Sequence, residues 1–102
     1  MPEILHIVLF KWKPDVSDAQ IEEVRKALLA LGDAVPGILS AECGPNLSQR
    51  SQGYQTVLVV RFKDRQALDN YLPHPAHQDV IARFIDPIRD NLLVADVEIQ
   101  GT

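Results

Sequence analysis

The sequence is poor in cysteine, aromatic residues and long apolar runs. Its 102 residues include one cysteine, Cys43, so no disulfide can form within the chain. We expect Cys43 to be a packed thiol in a reducing compartment rather than a nucleophile. The longest apolar runs, such as residues 7–10, are too short to span a membrane. The opening residues 1–3 lack a signal-peptide pattern, so we expect a cytoplasmic protein with no membrane partner.

Basic residues are also few. The chain has 10 lysines and arginines against 14 aspartates and glutamates, a formal charge of −4, and the basic residues are spread along it. Because no basic stripe could follow a phosphate backbone, we expect no nucleic-acid partner. The hydrophobic fraction of 46% and the charged fraction of 24% are ordinary globular values. The sequence therefore predicts one domain over residues 1–102, with one core.

The first half of the chain predicts a strand, a helix and a second strand. Residues 4–12 form an apolar run that ends before Pro14, since proline cannot continue a central ladder. Ser17 and Gln20 have the spacing of a capping box, and apolar residues recur at helical intervals until Pro36. Residues 38–44 predict a weaker strand, followed by a polar loop.

The second half also predicts a strand, a helix and a strand. Residues 54–62 predict a strong strand. Asp64 can cap a helix after it, which the prolines 73 and 75 interrupt. A second helical piece then continues to about residue 86. Residues 92–100 predict the last strand. The order β-α-β-β-α-β indicates an α+β, ferredoxin-like fold with a four-stranded antiparallel sheet and its helices on one face.

Both faces of that sheet are apolar, although its helices can cover only one. In the first strand one face has Ile4, His6, Val8, Phe10 and Trp12, and the other has Leu5, Ile7 and Leu9. Leaving half a dozen large apolar side chains in water would forfeit on the order of 10 kcal/mol, comparable to the stability of a small domain. A second copy of the same sheet is the simplest cover. We therefore predict a homodimer, paired through the sheet faces into an α/β barrel.

Two stretches hold most of the residues suited to chemistry. One is the first strand with His6, and the other is the run Tyr71-x-x-His74-Pro75-x-His77. Together with the order of elements, they resemble the stress-responsive A/B barrel (Dabb) family over nearly the whole chain. The resemblance implies a dimeric α/β barrel. The family includes plant stress proteins, bacterial proteins of unknown role and a plant polyketide cyclase.

The resemblance also implies roles for individual residues. The cyclase uses a tyrosine and a histidine that match Tyr71 and His77, and its other histidines match His6 and His74. This makes His77 the candidate general base and Tyr71 its acid or hydrogen-bonding partner, with no metal or organic cofactor. The chemistry is reasonable, because an imidazole can remove a proton next to a carbonyl near pH 7 and a phenol can donate to the enolate oxygen.

A cavity between sheet and helices would suit a small apolar or oxygenated ligand. We predict that it is lined by His6, His74, Val8, Phe10 and Trp12. If instead Phe10, Trp12 and Phe62 fill that space, a structural role remains.

Other interpretations of these residues stay open. His74, between two prolines, also fits a loop-shaping role, and His6 also fits a hydrogen-bonded core histidine. The three histidines together could suggest zinc, but no carboxylate is fixed beside them in the sequence, and we predict no metal site. Arg89 and Asp90 are expected to form an exposed pair of little energetic value. Three functional classes follow: a ligand-binding dimer without catalysis, a cofactor-free enzyme acting next to a carbonyl, and a cofactor-independent oxygenase.

Overall fold

The computed structural model describes residues 2–99 and has the predicted order of elements. They are β1 (Ile4–Trp12), α1 (Asp18–Ala34), β2 (Ile38–Pro45), β3 (Thr56–Phe62), α2 (Arg65–Tyr71), α3 (Pro75–Val80), a π-helical segment (Ile81–Ile85) and β4 (Arg89–Glu98). The last strand begins at Arg89 rather than Leu92, because only a short turn separates it from the π-helical segment. Gln100, the predicted end of that strand, lies outside the described residues.

The four strands form one antiparallel sheet in the order β2-β3-β1-β4. This confirms the ferredoxin-like α+β fold. The central strand β1 pairs on both sides, so that His6 lies opposite Val60 on β3 and opposite Asp96 on β4. A register shift between Lys11 and Trp12 ends the regular pairing with β4.

The helix starts follow from the capping residues in the sequence. At α1, the Ser17 hydroxyl accepts a hydrogen bond from the backbone of Gln20, and the Gln20 side chain accepts one from the backbone of Ser17. At α2, the Asp64 carboxylate accepts from the backbone N–H of Ala67 at 2.9 Å. Both caps satisfy amides that the first turn of a helix leaves unpaired.

Helices cover the sheet unevenly. Helix α1 packs mainly along β2, and α2 packs on β1 and β3. The side chains of β1 and β3 that point toward the helices are buried, from Ile4 to Trp12 and from Thr56 to Phe62. On β4 the side chains are far more accessible: Val94, which points toward the helices, is 49% exposed, and Leu93 and Val97 on the other face are 53% and 52% exposed.

Within residues 2–99, none of the helices has both the length and the apolar character needed to cross a bilayer.

Gly37 and Gly32 should respond to alanine in opposite directions. Gly37 has φ +93°, and a Cβ there would lie 2.6 Å from the Cβ of Ala67. Gly37→Ala should therefore lower the free energy of unfolding by about 1–3 kcal/mol. Gly32 lies inside α1 with nothing within 4 Å of the added atom, so Gly32→Ala should raise it by about 0.5–1 kcal/mol. Urea denaturation measures the free energy of unfolding of each variant. Equal changes in the two variants would contradict the constraint that the positive φ and the close approach of Ala67 place on Gly37.

Candidate active site

A cavity of about 440 Å³ lies between the helices and the face of β1 and β4 that points toward them. Its buried wall comes from β1, β3 and the helices, whereas its β4 side chains are partly accessible, so the mouth follows β4. Most of the wall is apolar. The apolar lining residues are Val8, Phe10, Leu28, Leu58, Leu72, Ile81, Ile85, Leu92 and Val94.

The polar residues of the wall fall into two groups. His6, Tyr71, His77 and Asp96 form one group, and Asp86 and Arg89 form the other. A mostly apolar pocket with a few convergent polar groups is the usual character of a small-molecule site.

His6 is buried and is held by a carboxylate. Antiparallel pairing places His6 opposite Asp96, and the His6 Nδ1 lies 2.5 Å from the Asp96 Oδ1. The Asp96 side chain is 40% exposed, and its carboxylate oxygen is the acceptor in this pair. The Nδ1–H of His6 then donates to it, and this leaves Nε2 as the nitrogen that a ligand can contact.

His77 is buried in the first turns of α3 and is oriented by the backbone. Its Nδ1 lies 3.0 Å from the carbonyl oxygen of Leu72, which also accepts a 2.7 Å hydrogen bond from the Gln78 amide. A carbonyl oxygen can only accept, so the Nδ1 of His77 carries the proton and Nε2 carries the lone pair. Burial lowers the pKa of His77, and the nearby imidazoles of His6 and His74 lower it further, against the hydrogen bond to Leu72. His77 is thus a neutral base near pH 7.

Tyr71, at the end of α2, lies between the two histidines. Its ring centroid is 4.1 Å from that of His77 and 6.0 Å from that of His6, and its ring meets Phe62 edge-on at 5.0 Å. Burial raises the pKa of Tyr71 far above its ordinary value. The phenol therefore keeps its proton and acts as a hydrogen-bond donor. A neutral base next to a protonated phenol is an arrangement that can remove a proton and stabilise the charge that develops.

Two of the predicted ligand-binding residues lie outside the cavity wall. His74 is the N-cap of α3, where its Nδ1 accepts a 3.0 Å hydrogen bond from the backbone N–H of Ala76. Trp12 stacks on Phe10 with ring centroids 5.0 Å apart, and its indole donates to the Thr56 hydroxyl at 2.8 Å. The loop-shaping interpretation of His74 fits this geometry. The cavity brings together His6, Val8, Phe10, Tyr71 and His77.

Three polar residues of the wall, Asp86, Arg89 and Asp96, were missed from the sequence. Asp96 could have been found, because strand alternation and antiparallel pairing put it on the same face as His6. Arg89 was expected to pair with Asp90, but its Nη2 instead donates to the Asp86 carboxylate at 3.2 Å. The turn that leads into β4 brings Asp86 back beside Arg89.

Metal-ligating residues do not cluster in the part of the chain that the structure describes. Across residues 2–99 no three histidine, cysteine, aspartate or glutamate side chains are close enough to hold one ion. Cys43 is a buried free thiol on β2, away from the cavity wall, and burial raises its pKa. The residues gathered in the cavity can perform acid–base chemistry with their own side chains.

Comparison with known proteins places the chain in a family. The model of the Stress Responsive A/B Barrel Domain matches residues 4–99. The chain belongs to this family. The family assignment fits the resemblance in the His6 strand and the Tyr71–His77 run, and it accounts for the ferredoxin-like topology over the whole match.

Proteins similar to this chain include an enzyme, a stress-response protein and a protein of unknown function. Olivetolic acid cyclase of Cannabis sativa is 28% identical over 76 residues, which cover 72% of this chain and 75% of the cyclase. The stress-response A/B barrel domain-containing protein HS1 of Arabidopsis thaliana is 28% identical over 95 residues, covering 91% of this chain and 86% of HS1. A solved structure from Thermobifida fusca, described as a dimeric ferredoxin-like protein of unknown function, superposes with a TM-score of 0.82 at 26% identity, covering 96% and 92% of the two chains.

The buried state of His77 predicts a pH dependence of stability. Because its pKa is lower in the folded chain than the ordinary 6.5, the unfolded chain takes up the proton first. The contribution of His77 is therefore present above about pH 6.5 and is lost as the pH falls through the folded pKa. The difference in unfolding free energy between the wild type and His77→Gln should shrink as the pH falls from 7 to 5. An NMR titration midpoint for His77 above 6.5 would contradict this assignment.

Proposed function

We propose that the protein is a homodimer that binds a small, largely apolar, oxygenated molecule in the cavity between sheet and helices. The observation that carries the proposal is the composition of the cavity wall. It is apolar along most of its length and has His6, Tyr71 and His77 together at one place. Such a wall excludes water from the body of a ligand and offers hydrogen bonds to one oxygenated end.

The sheet supports the dimer. Its second face carries apolar side chains on three adjacent strands, and those on β4 are the most exposed. Covering them gains free energy at about 25 cal/mol per Å² of apolar surface removed from water. The Thermobifida fusca relative, with the same fold at 26% identity, is described as dimeric. A second copy of this chain presents the same apolar face, so it is the simplest partner for this surface.

Charges placed on that face should separate the subunits. In Leu93→Glu with Val97→Glu, each new carboxylate would be desolvated against the partner sheet, so a dimer at micromolar concentration should become a monomer. Ala30→Glu with Ala34→Glu adds the same two charges at exposed positions of α1 and should leave the dimer intact. Sedimentation velocity measures the oligomeric state of the wild type, the sheet-face variant and the control variant. A monomeric wild type at micromolar concentration would refute the proposed assembly.

A second candidate function is cofactor-free acid–base catalysis next to a carbonyl. Burial lowers the pKa of His77 and raises the pKa of Tyr71, so His77 stays neutral and Tyr71 stays protonated. This pair of neighbouring groups favours the second candidate. In this hypothesis the Nε2 of His77 removes a proton from the carbon next to the carbonyl, and the Tyr71 hydroxyl donates a hydrogen bond to the enolate oxygen. His6, held by Asp96, is in the same wall, where its Nε2 can accept a hydrogen bond from a hydroxyl group of the ligand. The similarity to olivetolic acid cyclase supports this chemistry as a class, and no substrate is carried over from it.

A simple probe can test this chemistry without a known substrate. An acetylacetone extended by a butyl tail has an acidic carbon between two carbonyls and an apolar body. The wild type should accelerate its keto–enol exchange, followed by ultraviolet absorbance, and His77→Gln or Tyr71→Phe should each reduce that acceleration by about 100-fold or more.

The matched control is His74→Asn, because asparagine can still cap α3 and His74 lies outside the cavity wall. It should keep the wild-type rate. Equal losses in all three variants, or no acceleration by the wild type, would count against catalysis in this cavity. Thermal unfolding of each variant separates a lost proton transfer from a lost fold.

A further inference from the structure

Arg89 lies at the other end of the cavity from His6. Along the paired strands, Asp96 lies opposite His6, whereas Arg89 lies opposite Trp12. Strand residues rise about 3.3 Å each, so the two ends are separated by roughly 20 Å along β1. Between them the cavity wall is apolar, with Val8 and Phe10 on β1 facing the helices. The cavity is thus elongated, with polar groups at both ends.

The Arg89 guanidinium has unused hydrogen-bonding capacity at this end. Its Nε is buried and has no hydrogen-bond partner among residues 2–99. The one ion pair that the structure gives Arg89 uses Nη2, at 3.2 Å from the Asp86 carboxylate. Asp86 is 50% exposed and Arg89 is 36% exposed in that pair, so water screens their attraction. The Nε itself has almost no accessible surface, so the donors that a ligand can reach are the remaining N–H groups of the guanidinium. Arg89 is part of the cavity wall, and among residues 2–99 only the pair with Asp86 uses one of those donors.

We propose that Arg89 binds a carboxylate of the ligand, which makes the ligand class an elongated oxo acid. Its carbonyl lies near His6, Tyr71 and His77, its apolar body lies along β1 and β4, and its carboxylate meets Arg89. A carboxylate fits better than a neutral oxygen, because the planar guanidinium offers paired N–H donors to two oxygens and carries a permanent positive charge. This inference rests on the ligand cavity proposed above.

Octanoate and 1-octanol form a pair of probes that differ mainly in the charge of the head group. In isothermal titration calorimetry at pH 7, the wild type should bind octanoate about tenfold more tightly than 1-octanol. Arg89→Gln should remove this preference by weakening octanoate binding about tenfold relative to 1-octanol. Arg89→Lys, which keeps the charge without the planar fork, should retain part of it.

The matched control is Arg83→Gln. Arg83 carries the same charge on the π-helical segment, is 66% exposed, pairs with Asp79 and lies outside the cavity wall. It should keep the wild-type preference, which shows that net charge alone is not responsible.

The outcomes separate the two proposals. Equal affinity for the two probes, tighter binding of 1-octanol, or a preference that survives in Arg89→Gln would overturn the role of Arg89 and leave the cavity standing. Binding of neither probe would overturn both. If Arg89→Gln fails to fold, as judged by circular dichroism, Arg89→Lys still tests the planar fork, and a wild-type preference fully kept in Arg89→Lys would contradict its role.

Discussion

The position of β1 at the centre of the sheet is the constraint on which the rest of the structure depends. This strand pairs with β3 on one side and β4 on the other, and its side chains alternate between a face that the helices bury and a face that they do not. Because α1 and α2 pack over β2, β3 and β1, the layer leaves β4 largely uncovered. The unequal cover opens the cavity beside β4, and the uncovered second face of the sheet forms the exposed apolar surface.

The same arrangement explains why the candidate site lies at β1 and β4. Antiparallel register sets Asp96 beside His6, and the short helices that follow β3 bring Tyr71 and His77 over them. Burial shifts the pKa values of His77 and Tyr71 in opposite directions. Desolvation disfavours the charged form of every group, so it favours neutral imidazole at His77 and neutral phenol at Tyr71. One of these forms accepts a proton and the other donates a hydrogen bond.

Most of the fold could be predicted from local signals. The capping box at Ser17, the cap at Asp64 and the alternation in β1 each specify an element through contacts only a few residues apart. The candidate site was harder. His6, Tyr71 and His77 were singled out from the sequence, whereas Asp96 depended on strand register and Arg89 on the path of the turn before β4.

The order of the elements and the two apolar faces follow from the sequence alone, because periodicity and capping act within single segments. Which histidines meet depends on the folded chain. His74 and His77 are three residues apart, yet His74 caps the helix through its Nδ1 while His77 turns toward Tyr71 and the cavity. A proline-bounded turn leaves several ring directions open, and the hydrogen bond to Leu72 and the contact with Tyr71 select one of them. The partner of Arg89 was likewise set by the fold, since the turn that precedes β4 returns Asp86 to its side.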